Sequence, residues 1–302
     1  MSKLFAKRNY NFDFMKVRRI AYILTAVMFI VSVAAFFTKG LNYGIDFEGG
    51  ILAEISSKQE IDLQKIRSDL SFLKDLSIQS AGHEGKTILV QAQPEAGESA
   101  TAVMEKIKTT LGADYSYDNV EVIGATLGKE LKQKSILASV LALLAIAVYI
   151  WFRFEWPFAI GCLISLAHDL VVIVGLFALF GWEFDMIVVA GILSLAGYDC
   201  NDTIVTYDRI RENLKKYRKM DVSDILNKSI NETLSRTIIT GLTTLCVVLV
   251  LLFVGGPVLR GFSIAMVIGV IIGTYSSIFV AVPILNNFDI KNMGLSESKD
   301  KS

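Results

Sequence analysis

Residues 157–180 read PFAIGCLISLAHDLVVIVGLFALF, and every position but His168 and Asp169 is apolar or small. Crossing about 30 Å of hydrocarbon at 1.5 Å per residue takes roughly 20 such residues, so this stretch has the length and chemistry of a membrane-spanning helix. A proline opens it and the glycine of Gly181-Trp182 follows it, as helix ends require. Five more runs fit the same description: 20–37 and 135–152 without charge, 185–207 with Asp199 and Asp202 in its second half, and 237–254 and 262–282 again uncharged. The expectation is a six-span α-helical integral membrane protein.

Composition agrees. Of 302 residues, 53% are hydrophobic and 20% charged, with 30 basic and 30 acidic side chains. A soluble domain carries about a quarter charged residues. The neutral balance gives nucleic acid no basic face to bind. Two histidines are too few for a His-rich metal site, and the three cysteines, Cys162, Cys200 and Cys246, all fall within expected spans and imply no disulfide framework.

Basic residues flanking spans face the cytoplasm. Segment 1–19 holds Lys3, Lys7, Arg8, Lys16, Arg18 and Arg19, and the loop 208–236 is similarly basic, whereas the short link after the third span has only Glu183 and Asp185. Both termini, including the tail 283–302, are therefore placed in the cytoplasm. The apolar run 20–37 exceeds the 7–15 residues of a secretory core, so it is expected to remain as an anchor.

Residues 38–134 form the one long polar stretch, on the far side of the membrane. Ile51, Ala53 and Ile55 alternate as in a strand, Ile66, Leu70 and Leu73 mark a helix face, 76–80 and 87–93 read as strands, Val103, Ile107 and Leu111 mark a second helix, and 119–123 a last strand. The order β-α-β-β-α-β is that of a small α+β, ferredoxin-like domain. It holds no nucleophile–base pair and no phosphate loop, and His83 sits in a polar turn, so no enzyme is expected.

An Asp at the centre of a span costs about 2.5–3.5 kcal/mol on insertion scales, which makes each one a candidate for function. Asp199 and Asp202 lie three apart on one helix face and would resist ionising together. The alternative is that the helix surfaces there and bathes its acids in headgroup water. Arg236, at the head of the fifth span, is either their countercharge or one more flanking cation. His168-Asp169, near the middle of the third span, is either a proton relay or a hydrogen-bonded pair that locks packing. Gly269 and Gly273 form GxxxG, permitting close helix approach.

Several of these residues fall in longer patterns. Gly44-Ile45-Asp46-Phe47-Glu48-Gly49-Gly50 resembles the GIDFxGG signature of the SecF family, and residues 201–212, NDTIVTYDRIRE, resemble its second signature. Gly124-x-x-x-Gly128, His168-Asp169 and Ser235-Arg236-Thr237 fit as well. The resemblance implies a subunit of the Sec preprotein translocase, related to resistance–nodulation–division transporters. Such a subunit works with SecD, and with YajC as a further candidate partner, to assist the SecYEG channel in drawing unfolded preproteins across the bacterial cytoplasmic membrane. Its energy source would be the proton-motive force, with no metal or organic cofactor, and its partners would include membrane lipid but no nucleic acid. Carried over by position, Asp202 matches the family's proton-coupling acid, Arg236 the arginine of the same relay, and Gly44, Asp46, Gly49 and Gly50 the signature that hinges the exported domain. Asp199 departs from the pattern, which commonly has Ser there, and leaves open whether it joins the relay. A small-molecule exporter on the same scaffold and a non-transporting scaffold subunit are the rival readings.

Overall fold

The computed structural model describes residues 12–81, 85–94, 99–112 and 114–291. His83 and the first basic residues, Lys3, Lys7 and Arg8, lie outside them. The chain begins with helix α1 (Arg18–Lys39), then a two-residue strand β1 (Asn42–Tyr43) and a single-turn helix α2 (Ile45–Glu48). A sheet module follows: β2 (Gly50–Ser57), α3 (Leu63–Asp69), β3 (Lys74–Ala81), β4 (Thr87–Gln93), α4 (Ala100–Leu111) and β5 (Tyr115–Ile123). The rest is long helices, α5 (Ala125–Arg153), α6 (Trp156–Phe180), α7 (Met186–Lys216), α8 (Val222–Val254) and α9 (Arg260–Ser276), with a short strand β6 (Glu183–Phe184) before α7.

The four long strands form one antiparallel sheet in the order β3-β4-β2-β5. Period-two alternation aims Ile51, Ala53 and Ile55 of β2 and Ile88, Val90 and Ala92 of β4 to one face, where Ile66 and Leu70 beside α3 and Val103 and Ile107 of α4 cover them. Asp62 and Ser99 cap α3 and α4 by accepting from backbone N–H groups of the first turn.

Among the described residues five helices are long and apolar enough to cross a membrane: α1, α5, α6, α8 and the continuous helical run Arg260–Asn287 that contains α9. The fourth expected span, within α7, fails that criterion because of its own polar residues, although its 31 residues reach about 46 Å. α6 and α9 are central, while α1, α5 and α8 leave most of their apolar surface outward. The segment expected as a basic loop, 208–236, is instead the continuation of α7 to Lys216 and the start of α8 at Val222. Asn213 donates from Nδ2 to Glu232 Oε2 at 2.7 Å, and Arg209 donates to the same oxygen at 2.7 Å, so these polar faces zip the two helices together.

Small residues set the helix spacing. A Cβ on Gly175 of α6 would strike Ser32 of α1, and one on Gly269 of α9 would strike Leu195 of α7. The two glycine motifs of the sequence meet in the same way: a Cβ on Gly128 would lie 2.9 Å from the Gly49 nitrogen and 3.1 Å from the Phe47 carbonyl oxygen. Gly49 itself has φ 81°, which favours glycine. The first turn of α5 is thereby pressed onto α2, fastening the sheet module to the helices. Gly128→Val should lower stability by about 1–3 kcal/mol through overpacking at backbone. Thermal unfolding in detergent checks this against Gly124→Ala, whose added Cβ meets nothing within 4 Å and which should change stability by less than about 0.5 kcal/mol.

Candidate functional site: a carboxylate seam between the helices

Two hydrophobic clusters fill the helical bundle. One gathers Cys162, Leu166, Ala196, Cys200, Tyr207 and Leu234 with others toward one end, and the second gathers Ile173, Phe177, Val188, Leu195, Val248 and Val270 toward the sheet module. Along α6 and α7 the boundary between them falls at residues 168–169 and about 199. The buried polar side chains His168, Asp169, Asp199, Asp202, Thr237, Ser276 and Ser277 are placed around that boundary.

Asp202 stands where three helical segments meet. Thr237 of α8 donates to its Oδ1 at 2.8 Å and Ser277 donates to its Oδ2 at 3.0 Å. Ser277 opens a π-helical turn, Ser277–Ala281, that directly continues α9. Such turns are rare and recur at functional sites. Pro283 lies just beyond it, and Tyr207 of α7 donates from its hydroxyl to the Ala281 carbonyl at 2.9 Å, tying the irregular turn to the acid-bearing helix.

Arg236 is exposed and, among the described residues, no ion pair joins it to Asp202. The reason is helical geometry: Thr237 faces Asp202, and the preceding residue points about 100° away around the helix. Nor is Asp199 paired with Asp202. Its carboxyl reaches instead toward Asp169 of α6, within hydrogen-bonding reach. His168 Nδ1 lies 2.8 Å from Asp169 Oδ1, and Ser276 donates to Asp169 Oδ2. Gly273 makes room for Asp199, since a Cβ there would come within 2.6 Å of Asp199 Oδ1.

The GIDFxGG segment is far along the chain from these acids yet touches their helix. Asp46 Oδ2 accepts from the Met186 N–H at 3.0 Å, and Asp185 Oδ1 accepts from the Val188 N–H at 2.7 Å. Two carboxylates thus cap the positive end of α7. β1 pairs in parallel with β6, Gly44 N–H donates to the Phe184 carbonyl at 3.0 Å, and Gln91 of β4 donates to Glu183 Oε1 at 2.7 Å. A Cβ on Gly44 would fall 2.7 Å from Glu183 Oε1 and would push the Glu183 carboxyl aside. Sequence reading noted Thr237 only as part of Ser235-Arg236-Thr237, and it singled out neither Ser277 nor the Glu183–Gln91 contact. Adjacent serines in an otherwise apolar span were the one signal for Ser276 and Ser277.

Among the described residues no group of three or more His, Cys, Asp or Glu could hold a metal ion. What the seam can do is bind and release protons in an apolar interior, a class of chemistry found in membrane transporters.

Comparison with known proteins narrows the class. Residues 103–291 match the family described as protein export membrane protein SecD/SecF, C-terminal, and residues 34–61 match the SecD/SecF GG motif. Protein translocase subunit SecF of Rickettsia rickettsii is 39% identical over 284 residues, 92% of each chain, and that of Desulfurispirillum indicum is 43% identical over 91% of this chain and 90% of its own. The crystal structure of SecDF, a translocon-associated membrane protein from Thermus thermophilus, superposes with a TM-score of 0.79 at 34% identity, over 91% of this chain and 38% of that longer one. SecDF in its super-membrane-facing form gives 0.71 at 32% identity, over 98% of this chain and 41% of that one. The chain belongs to the SecF family of protein translocase subunits.

The Glu183 contact gives a pH prediction. Burial pushes the Glu183 carboxyl above the usual carboxylate range, the Gln91 hydrogen bond pulls it partly back, and Asp185 and Asp46 push it up again. The docked state therefore holds the proton more tightly than the undocked one, so this contribution is fullest below the ordinary carboxylate pKa and is lost as pH rises through the raised value. Hydrogen exchange at the Gly44 amide should quicken over that window in the wild type. In Glu183→Gln, which is neutral throughout, the Gly44 rate should rise only as base catalysis of any amide requires, with no added loss of protection.

Proposed function

We propose that this chain is the SecF-like half of a proton-driven export motor, working with a SecD-like partner at a SecYEG-type channel, with YajC as an accessory candidate, in the bacterial cytoplasmic membrane. The observation that carries this reading is Asp202, buried inside the bundle and held, among the described residues, by two hydroxyl donors from separate helices. A carboxylate so placed is stabilised only while Thr237 and Ser277 stay aimed at it. Protonation removes the charge and with it the reason for that arrangement, which lets α8 and the π turn move relative to α7.

α7 is the fourth of six spans in this reading, because it packs among α6, α8 and α9. Its acids are the reason it looks too polar to cross alone. Both termini and the α7–α8 hairpin face the cytoplasm, following the basic residues. The sheet module is a ferredoxin-like domain on the opposite side: its strand order β3-β4-β2-β5 and β-α-β-β-α-β succession support that assignment. Motion of α7 reaches it through Asp46, Glu183 and the β1–β6 ladder, and motion of α5 through Gly128 against Gly49. Gly44, Asp46, Gly49 and Gly50 form the joint, and Arg236 acts at a distance, as a cation at the membrane edge.

One proton crossing 100 mV supplies about 2.3 kcal/mol. Full inversion of a two-state element from 1:99 to 99:1 needs about 5.5 kcal/mol. One protonation biases such an element without fully throwing it, so acids of a partner chain are expected to contribute.

The test compares Asp202→Asn with wild type in cells lacking the native protein, at equal membrane abundance. Release of a secretory protein from spheroplasts is followed with the proton gradient intact and collapsed. Asp202→Asn should lose the gradient-dependent part, so that collapse changes nothing further. Wild-type release that stays gradient-sensitive in the variant would remove Asp202 from the coupling step.

A further inference from the structure

Asp169 and Asp199 raise a question that Asp202 does not. Asp199 is 3% exposed and Asp169 1%, and their carboxyl groups lie within hydrogen-bonding reach of each other. Two ionised carboxylates cannot sit in contact in an apolar interior without a proton or a cation between them.

The surroundings decide between those two. Gly273 backs directly onto Asp199 Oδ1, where even a Cβ would be only 2.6 Å away. Hard cations such as Ca²⁺ and Mg²⁺ take six or more oxygen ligands, and this packed corner offers two carboxyls and the Ser276 hydroxyl. The hydrogen bonds also say which acid carries the proton. Asp169 Oδ2 accepts from Ser276, and Asp169 Oδ1 lies 2.8 Å from His168 Nδ1, from which it accepts when that nitrogen carries the ring proton. That is the pattern of an ionised acceptor. Asp199 Oδ1 is buried and finds no partner at all. A buried carboxylate deprived of donors is costly, whereas a neutral carboxylic acid that donates to Asp169 satisfies both groups.

We infer that Asp199 is a protonated carboxylic acid donating to the Asp169 carboxylate, a second proton-holding site between α6 and α7, distinct from Asp202. The titratable groups around it are His168, Asp169 and Cys162 on α6 and Tyr198, Cys200 and Asp202 on α7, and α9 presents only the Ser276 hydroxyl and Gly273. Among the described residues no Lys or Arg is paired with either acid, and His168 is the one group there that can carry positive charge. The two proton sites are mechanically linked, because Ser276 donates to Asp169 while its neighbour Ser277 donates to Asp202. A register change at the π turn would disturb both at once. Use of this second proton during export rests on the proton-coupled reading given above, but its presence does not.

Infrared difference spectroscopy of the full chain in lipid nanodiscs, with aspartate carboxyls labelled by carbon-13, tests the site directly. The wild type at neutral pH should show the C=O band of a protonated aspartic acid, shifted by exchange into D₂O. The band should vanish in Asp199→Asn and in Asp199→Ser, whose hydroxyl still donates to Asp169 and so keeps the packing without a titratable proton. It should vanish equally in Asp169→Asn, whose amide can donate to an ionised Asp199, and should persist in Asp202→Asn. A band absent from the wild type, surviving in Asp199→Asn, or lost in Asp202→Asn alone would overturn the assignment. The spheroplast assay on Asp202→Asn reports separately: wild-type release there would end the coupling role of Asp202 while leaving the Asp199 band in place.

Discussion

Buried charge is the constraint on which the rest of this structure depends. Three aspartates lie buried inside the helical bundle, and each needs donors that the bundle must bring to it. α6 and α9 are central because they carry those donors and the glycines that let helices close around them. Ser276, Ser277, Gly269 and Gly273 fall within nine residues of one helical run, which therefore both spaces the bundle and holds its acids. The π turn follows from the same demand: it begins at Ser277, the residue that reaches Asp202, and Tyr207 takes up its Ala281 carbonyl.

A second consequence concerns how the sheet module is attached. The chain enters it through Gly49-Gly50 and leaves it into the first turn of α5, where the Gly49 and Gly128 contacts are made to backbone and so tolerate almost no added volume. Asp46 reaches from the entry segment to cap α7, the same helix that carries Asp199 and Asp202 about 20 Å further along. The module is thus gripped at two places, α7 and α5, which restricts its motion to what those helices do together.

Sequence reading picked out acids that the structure buries, but it grouped Asp199 with Asp202 where the bundle does not. Asp199 and Asp202 are three residues apart, and spacing alone joined them. In the bundle each turns to a different neighbour, Asp199 to Asp169 on α6 and Asp202 to Thr237 and Ser277. Arg236 was matched to Asp202 by depth, and depth says nothing of the side of the helix on which a residue stands. The basic stretch 208–236 read as a loop because its charge masks helical periodicity. Asn213, Arg209 and Glu232 show that the charge pattern was that of two helices facing each other.

What the amino-acid sequence determined by itself is everything set by local composition and period: the apolar runs, the alternation of β2 and β4, the helix caps, and the presence of acids where acids are costly. Its two signatures also sufficed to point to the family. Only the tertiary structure decided which donor meets which carboxylate, that Asp199 Oδ1 is left without one, and that the GIDFxGG segment ends on the cap of α7. Those contacts join residues as much as 140 positions apart. They depend on the rotation of each helix about its own axis, which packing against several neighbours sets and no local pattern records.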